Sequence, residues 1–133
     1  MVPYLVAYAV AGLVFLCIDL VWLGFVASGL YRSQMGDLLA ETFRIGPAIA
    51  FYLLYILGVV VFAISPALRG GGPMTALGLG ALLGLVAYGT YDLTNWAIIR
   101  NWPVLITLVD LAWGTFLTAL SALAGFLVAS RFV

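Results

Sequence analysis

Three aspartates stand inside long apolar stretches of the sequence, where a carboxyl group is costly and therefore informative. Asp19, Asp92 and Asp110 are each flanked by aliphatic or aromatic residues. An ionisable group inside a bilayer costs ~2.5–3.5 kcal/mol on insertion scales. Carboxyl groups in such a place can transfer a proton, bind a cation, or accept hydrogen bonds from a basic or hydroxylated ligand. The three aspartates are therefore the first candidates for a functional site.

Aromatic and amide side chains accumulate around the same three positions. Asp19 and Asp110 are each followed, three residues later, by a tryptophan on the same helical face. Asp92 has a tyrosine four residues before it and an asparagine three residues after it. The residues predicted to form a ligand-binding or proton site are Asp19, Trp22, Tyr52, Tyr55, Tyr88, Tyr91, Asp92, Asn95, Trp96, Asp110 and Trp113.

Metal and thiol chemistry find little support in the sequence. The chain has no histidine, and its one cysteine, Cys17, lies inside an apolar stretch where a small residue of the core is expected. No cofactor and no metal are predicted. Acid–base chemistry by a carboxylate pair stays open, with no catalytic residue assigned.

The elements that carry these residues are predicted to be membrane-spanning helices. The chain of 133 residues is 66% hydrophobic and 8% charged, whereas a soluble domain is nearer half apolar and a quarter charged. Its apolar runs are too long for barrel strands. We predict an all-α membrane protein, a four-transmembrane-helix bundle of one domain, with spans at about residues 3–30, 47–68, 74–99 and 104–130. The apolar spans make the lipid bilayer the expected partner. Because the net charge is zero, no nucleic acid is expected as a partner.

The connection between the first two spans, residues 31–46, is predicted to hold a short interfacial helix. Apolar residues such as Met35 and Leu39 fall near one helical face, and Asp37, Glu41 and Arg44 fall on the other. An ordinary solvated loop is the alternative. The first span has no basic residues before it and is interrupted by Asp19, so we expect it to remain attached rather than to act as a signal peptide.

Four spans place both chain ends on one side of the membrane, side A, and leave the polar residues near the other, side B. Side B carries the residue 31–46 connection and the hairpin at residues 100–102. Asp92 and Asp110 then each lie ~10 Å in from that hairpin. Side B holds three of the five arginines, which favours a cytoplasmic side B and periplasmic chain ends.

The carboxyl groups allow a structural and a functional interpretation. In the first they hold the bundle together by hydrogen bonds to one another, to tyrosines and to Asn95. They can also pair with Arg32, Arg44 or Arg100 reaching inwards from side B, or bind an external cation or ligand. Three tryptophans can be interpreted as an interfacial aromatic belt: Trp22, Trp96 and Trp102.

Five short motifs carry a resemblance to a known family. They are D-x-x-W-L-G at 19–24, F-Y-L-L-Y at 51–55, A-Y-G-T-Y-D-L-T-N at 87–95, N-W-P at 101–103 and V-D-x-x-W-G-T at 109–115. Together they resemble a bacterial family of small membrane proteins, domain-of-unknown-function family 2177, over nearly the whole chain. The resemblance implies a multi-pass protein of the bacterial inner (plasma) membrane and, by association, a link to membrane lipid modification. It implies no activity, cofactor or catalytic residue.

Three classes of function remain open. The main prediction is a binding or accessory protein for a lipid-like or other amphipathic ligand. The second is a proton- or cation-coupled small transporter, which would need a homo-oligomer or a larger membrane complex because four helices make a thin pathway. The third is an intramembrane enzyme that uses a carboxylate acid/base pair.

Overall fold

The computed structural model describes residues 1–36 and 44–133, without the side chains of residues 26–28. Four helices in these ranges are long and apolar enough to cross a membrane: Val2–Phe25, Ile45–Gly71, Pro73–Ile98 and Val104–Phe132. No strand occurs in the same ranges. The prediction of an all-α bundle of four transmembrane helices is therefore confirmed.

The first span runs without a break into a short fifth helix. Helix α1, Val2–Trp22, passes through a π-helical segment, Leu23–Ala27, into α2, Ser28–Met35. A π segment carries an extra residue per turn and rotates everything that follows it relative to a regular helix. The short helix thus begins earlier than the amphipathic pattern suggested. Most of that pattern, at residues 37–43, lies outside the described residues.

The second span begins with α3, Ile45–Val59, and continues through two π-helical segments, Val60–Ile64 and Ala67–Gly71. It ends where Gly70 and Gly72 adopt φ values of 115° and 81°. These backbone conformations are readily adopted by glycine. The chain therefore turns sharply on side A before Pro73 begins the third span.

The last two spans form the tightest pair in the bundle. Helix α4, Pro73–Ile98, packs along α5, Val104–Ala129, through small residues. A Cβ atom on Gly80 would lie 2.8 Å from the Ala122 Cβ atom, and one on Gly84 would overlap the backbone carbonyl of Gly114. Small residues allow this approach, on which helix association in lipid depends.

The two halves of the bundle are packed differently. In the side A half, Ala63, Ile64, Ala76 and Ala122 are fully buried. In the side B half, α3 buries no residue before Tyr55. Nearly all of the first six residues of α3 are exposed, and α3 contacts α1 at Tyr52, so a cleft remains at the side B end of the bundle.

The described outer surface also corrects one expectation. Cys17 is exposed on α1 and does not belong to the core, so the prediction of a buried cysteine is wrong. Its position in a membrane span means that it faces hydrocarbon. The apolar residues around Cys17 are therefore covered partly by lipid, so an apolar neighbourhood in the sequence does not require burial inside the protein.

Candidate functional site

A cavity of about 390 Å³ occupies the cleft in the side B half. This volume lies within the range of small-molecule sites. The cavity is not closed, since the side chains of Phe51 and Tyr91 are 53% and 56% exposed. Every span contributes to its lining, which consists of Asp19, Trp22, Leu23, Tyr31, Phe51, Ala87, Tyr88, Tyr91, Asp110 and Trp113.

The close approach of α4 and α5 fixes the position of Tyr88. Its ring fills the space that a side chain on Gly114 would occupy. On its other side the Tyr88 ring meets the edge of Tyr55 at 6.4 Å between centroids. The Tyr55 hydroxyl is in turn 2.8 Å from the Thr118 hydroxyl oxygen. Tyr88 is therefore a rigid part of the cavity wall.

Two indoles form the wall between the first and last spans. Trp22 and Trp113 stack with 4.2 Å between centroids and 13° between planes. The Trp113 Nε1 group donates a long hydrogen bond, 3.4 Å, to Oδ1 of Asp19. The pattern of an aspartate followed three residues later by a tryptophan occurs in the first and the last span, and its two tryptophans meet at one helix–helix contact.

Asp110 receives its hydrogen bond from a residue that the sequence analysis did not select. The Tyr31 hydroxyl in α2 donates a hydrogen bond to Oδ1 of Asp110. Burial and the neighbouring Asp110 carboxyl raise the pKa of Tyr31 above its ordinary value, so this hydroxyl remains a donor. Tyr31 follows the predicted end of the first span by one residue. Only the uninterrupted continuation of the helix through the π segment brings it to the site.

Asp92 lies apart from these hydrogen bonds. Its side chain is fully buried and does not line the cavity, and no donor among the described residues reaches either of its carboxyl oxygens. The Asp110 carboxyl group is its nearest acidic neighbour and lies within reach of a hydrogen bond when one of the two groups is protonated. A polar group buried without a partner costs free energy, so a proton shared with Asp110 is the contact within the described residues that would offset the burial of Asp92.

A small buried cluster closes the side B end beside Asp92. Trp102 packs with Met35 and Ile106 and donates a 2.9 Å hydrogen bond from Nε1 to the Thr107 hydroxyl. Trp102 is only 6% exposed, so its interpretation as a belt residue is wrong. The hairpin tryptophan instead seals the end of the bundle.

The remaining predicted site residues lie outside the cavity. Tyr52 donates a hydrogen bond to the Gly12 carbonyl oxygen, and the Tyr55 hydroxyl contacts the Thr118 hydroxyl. Both tyrosines therefore connect helices nearer the middle of the membrane than the cavity. Asn95 and Trp96 do not line the cavity, and Trp96 is 47% exposed. Besides Tyr31, three lining residues escaped the sequence analysis because they carry no polar group: Leu23, Phe51 and Ala87.

The cavity presents hydrogen-bond acceptors and aromatic faces. The acceptors are the carboxyl oxygens of Asp19 and Asp110. The arginines that the sequence analysis considered as their partners do not line the cavity and are exposed: Arg32, Arg44 and Arg100. Acceptors and aromatic faces suit an ammonium or hydroxyl group. Within residues 1–36 and 44–133 no three potential metal-ligating side chains converge.

Comparison with known proteins gives a family and no activity. Residues 4–127 match a family described as "Predicted membrane protein (DUF2177)". No curated protein and no solved structure matches the chain. The match covers the second and third spans completely, most of the first and fourth spans, and every residue of the cavity.

Proposed function

Since the chain belongs to this family of predicted membrane proteins, whose description carries no activity, we propose from the site's geometry that it binds an amphipathic, lipid-like ligand. The supporting observation is the cavity of about 390 Å³, in which the carboxyl groups of Asp19 and Asp110 stand among aromatic rings within a membrane span. Carboxyl acceptors hold the polar end of the ligand, and the rings cover its apolar part. The protein then acts as a binding or accessory protein in membrane lipid chemistry.

A co-purifying molecule tests this proposal. We expect the detergent-purified protein to retain an amphiphile near one-to-one, measured by extraction and mass spectrometry. Ala87→Trp fills the cavity, because Ala87 belongs to its lining, and should abolish retention. Ala97→Trp makes the same change at an exposed position of the same helix and should leave retention unchanged. Equal retention by all three proteins, or no retained amphiphile, would contradict the proposal.

A second candidate function is supported by Asp92. Its fully buried carboxyl group receives no hydrogen bond from a donor among the described residues and lies next to the Asp110 carboxyl group, with which it can share a proton. Intramembrane carboxyl groups in this situation commonly serve proton relays. In this version the chain couples proton movement to a substrate, and a second copy completes the pathway. Liposomes with a pH gradient and a candidate amphiphilic substrate on one side test it: wild-type protein should dissipate the gradient faster with the substrate than without it, and Asp92→Asn should show no such difference.

The orientation follows from the arginines. We propose that the protein lies in the inner (plasma) membrane with side B facing the cytoplasm. Both chain ends then lie on the periplasmic side. Arg32, Arg44 and Arg100 belong to side B, and Arg69 and Arg131 belong to side A. Cytoplasmic loops carry the excess of basic residues. The ligand is then drawn from the cytoplasmic leaflet.

A further inference from the structure

A groove on the surface of the bundle lies next to the cavity and, unlike it, is almost entirely apolar. The groove has a volume of about 370 Å³ and runs along the outer face of the second span against α4. Its walls are apolar and include Phe51, Leu54, Gly58, Val61, Phe62 and Leu83. Phe51 borders both the groove and the carboxyl-lined cavity. The two hollows therefore meet at one side chain.

The groove has the length of one leaflet. From Phe51 to Phe62 the second span advances by roughly 16 Å at the helical rise, which is about half of the ~30 Å hydrocarbon core. The direction is from the side B half towards side A, because Phe51 lies near the beginning of the span and Phe62 lies beyond its middle. A hydrocarbon chain in the groove would thus run from the polar cavity to the bilayer centre.

The polar end is selective by charge. Among the residues that the structure describes, two carboxyl groups and no basic side chain line the cavity. A carboxylate or phosphate head group would meet like charges there, whereas an ammonium or hydroxyl group would find acceptors. The space beside the Trp22 and Trp113 rings adds a favourable surface for a cation.

We propose that the ligand is a single-chain amphiphile with an amine or hydroxyl head group, its head at Asp19 and Asp110 and its chain in the groove. This inference rests on the proposed function and adds the class of ligand. The two hollows share the Phe51 side chain in their linings, and in this proposal one molecule passes that side chain with its head in the cavity and its chain in the groove. An exchangeable phospholipid chain in the groove, unrelated to the cavity, is the competing occupant.

A chain-length comparison separates the two. The probes are radiolabelled hexadecylamine, hexylamine and hexadecanoate, and their dissociation constants are measured with protein in zwitterionic nanodiscs after subtraction of empty discs. Gly58→Leu fills the groove where a Cβ atom meets only Phe62, at 4.0 Å. Gly78→Leu is the matched control, because nothing lies within 4 Å of a Cβ atom there. Val61→Trp, at a half-exposed groove position, is the second blocking variant should Gly58→Leu fail to fold.

We expect Gly58→Leu to weaken hexadecylamine binding roughly tenfold, the equivalent of about two buried methylene groups. Hexylamine binding should be unchanged in this variant, and Gly78→Leu should change neither. Hexadecanoate should bind roughly tenfold more weakly than hexadecylamine to the wild type, because of like charge.

Three results would overturn the inference in different ways. Hexadecylamine binding that both blocking variants leave unchanged would leave the cavity as a binding site and remove the groove from it. Hexadecanoate binding as tight as that of the amine would overturn the head-group assignment. No saturable binding of any probe, together with no co-purifying amphiphile, would remove the proposed function as well.

Discussion

Three aspartates that look alike in the sequence have different surroundings in the fold. Asp19 accepts a hydrogen bond from Trp113 and Asp110 accepts one from Tyr31. Asp92 is buried and receives no hydrogen bond from a donor among the described residues, but its carboxyl group lies next to that of Asp110. Hydrogen bonds between helices offset part of the cost of placing a carboxyl group in the membrane. The structural interpretation therefore fits Asp19 and Asp110 directly, and it fits Asp92 only through a proton shared with Asp110.

The hydrogen bond between Tyr31 and Asp110 should contribute measurably to stability. In a double-mutant cycle of Tyr31→Phe and Asp110→Ala, we expect a coupling free energy of about 0.6 kcal/mol, with about 1.7 kcal/mol as the upper end for membrane proteins. The free energy of unfolding is measured in mixed micelles. Tyr4→Phe, at the opposite end of the first span, serves as the control and should show no coupling to Asp110→Ala. A Tyr31 coupling indistinguishable from this control would contradict the assignment.

Removal of the Asp92 charge should not destabilise the bundle. Asp92→Asn keeps the shape of the side chain and loses no hydrogen bond from a donor among the described residues, and its amide N–H can donate to the Asp110 carboxyl group in place of a shared proton. We expect the free energy of unfolding in mixed micelles to stay equal or to rise, since a neutral amide is cheaper to bury than a carboxylate. A loss of more than about 1 kcal/mol would show that the Asp92 carboxyl holds the helices together after all.

At the scale of the helices, glycines decide how closely the spans approach. Gly84 and Gly114 bring the backbones of α4 and α5 into contact, and the approach places the Tyr88 ring beside the cavity. Packing and site geometry thus depend on the same glycines. The Y-G-T-Y-D-L-T-N motif begins at Tyr88, about one helical turn after Gly84 on α4, so the wall of the site lies next to the tightest helix contact.

A methyl group at Gly84 should separate these helices. In Gly84→Ala the new Cβ atom would overlap the Gly114 carbonyl, which is backbone and cannot rotate away. We expect a loss of about 1–3 kcal/mol in the free energy of unfolding, together with weaker amphiphile retention. Gly78→Ala, with open space around its Cβ position, should lose neither stability nor retention. Equal stability of the two variants would mean that the helices are not packed through Gly84.

The sequence predicts the helices and the chemical character of the site better than it predicts which residues meet. Apolar length is sufficient to predict four spans, and the cost of a buried carboxyl group is sufficient to select Asp19, Asp92 and Asp110. Helix periodicity could not predict the π segment at Leu23–Ala27, which changes the rotation of α2 and brings in Tyr31. Nor could it predict that Trp102 would be buried. A tryptophan at the membrane interface and a tryptophan in the core can have the same kinds of neighbours in the sequence.

At the scale of the whole molecule, tight packing and open space are divided between the two halves of the membrane. The side A half holds most of the fully buried aliphatic residues, such as Ile64 and Ala122. The side B half holds the cavity and the carboxyl groups. One end of the bundle thus supplies stability and the other accommodates a site. The groove beside α3 extends from the side B half to about the middle of the second span.

The direction of this arrangement across the membrane should be visible by cysteine labelling. Cys17→Ser removes the native thiol, and Gln34→Cys and Val133→Cys then place single thiols at exposed positions on side B and side A, with no change of charge. Because side B carries three of the five arginines, we expect a membrane-impermeant maleimide to label Val133→Cys in intact spheroplasts. Gln34→Cys should react only after lysis. The opposite pattern would invert the orientation and assign the cavity to the outer leaflet, and labelling of both variants in intact spheroplasts would contradict a single orientation.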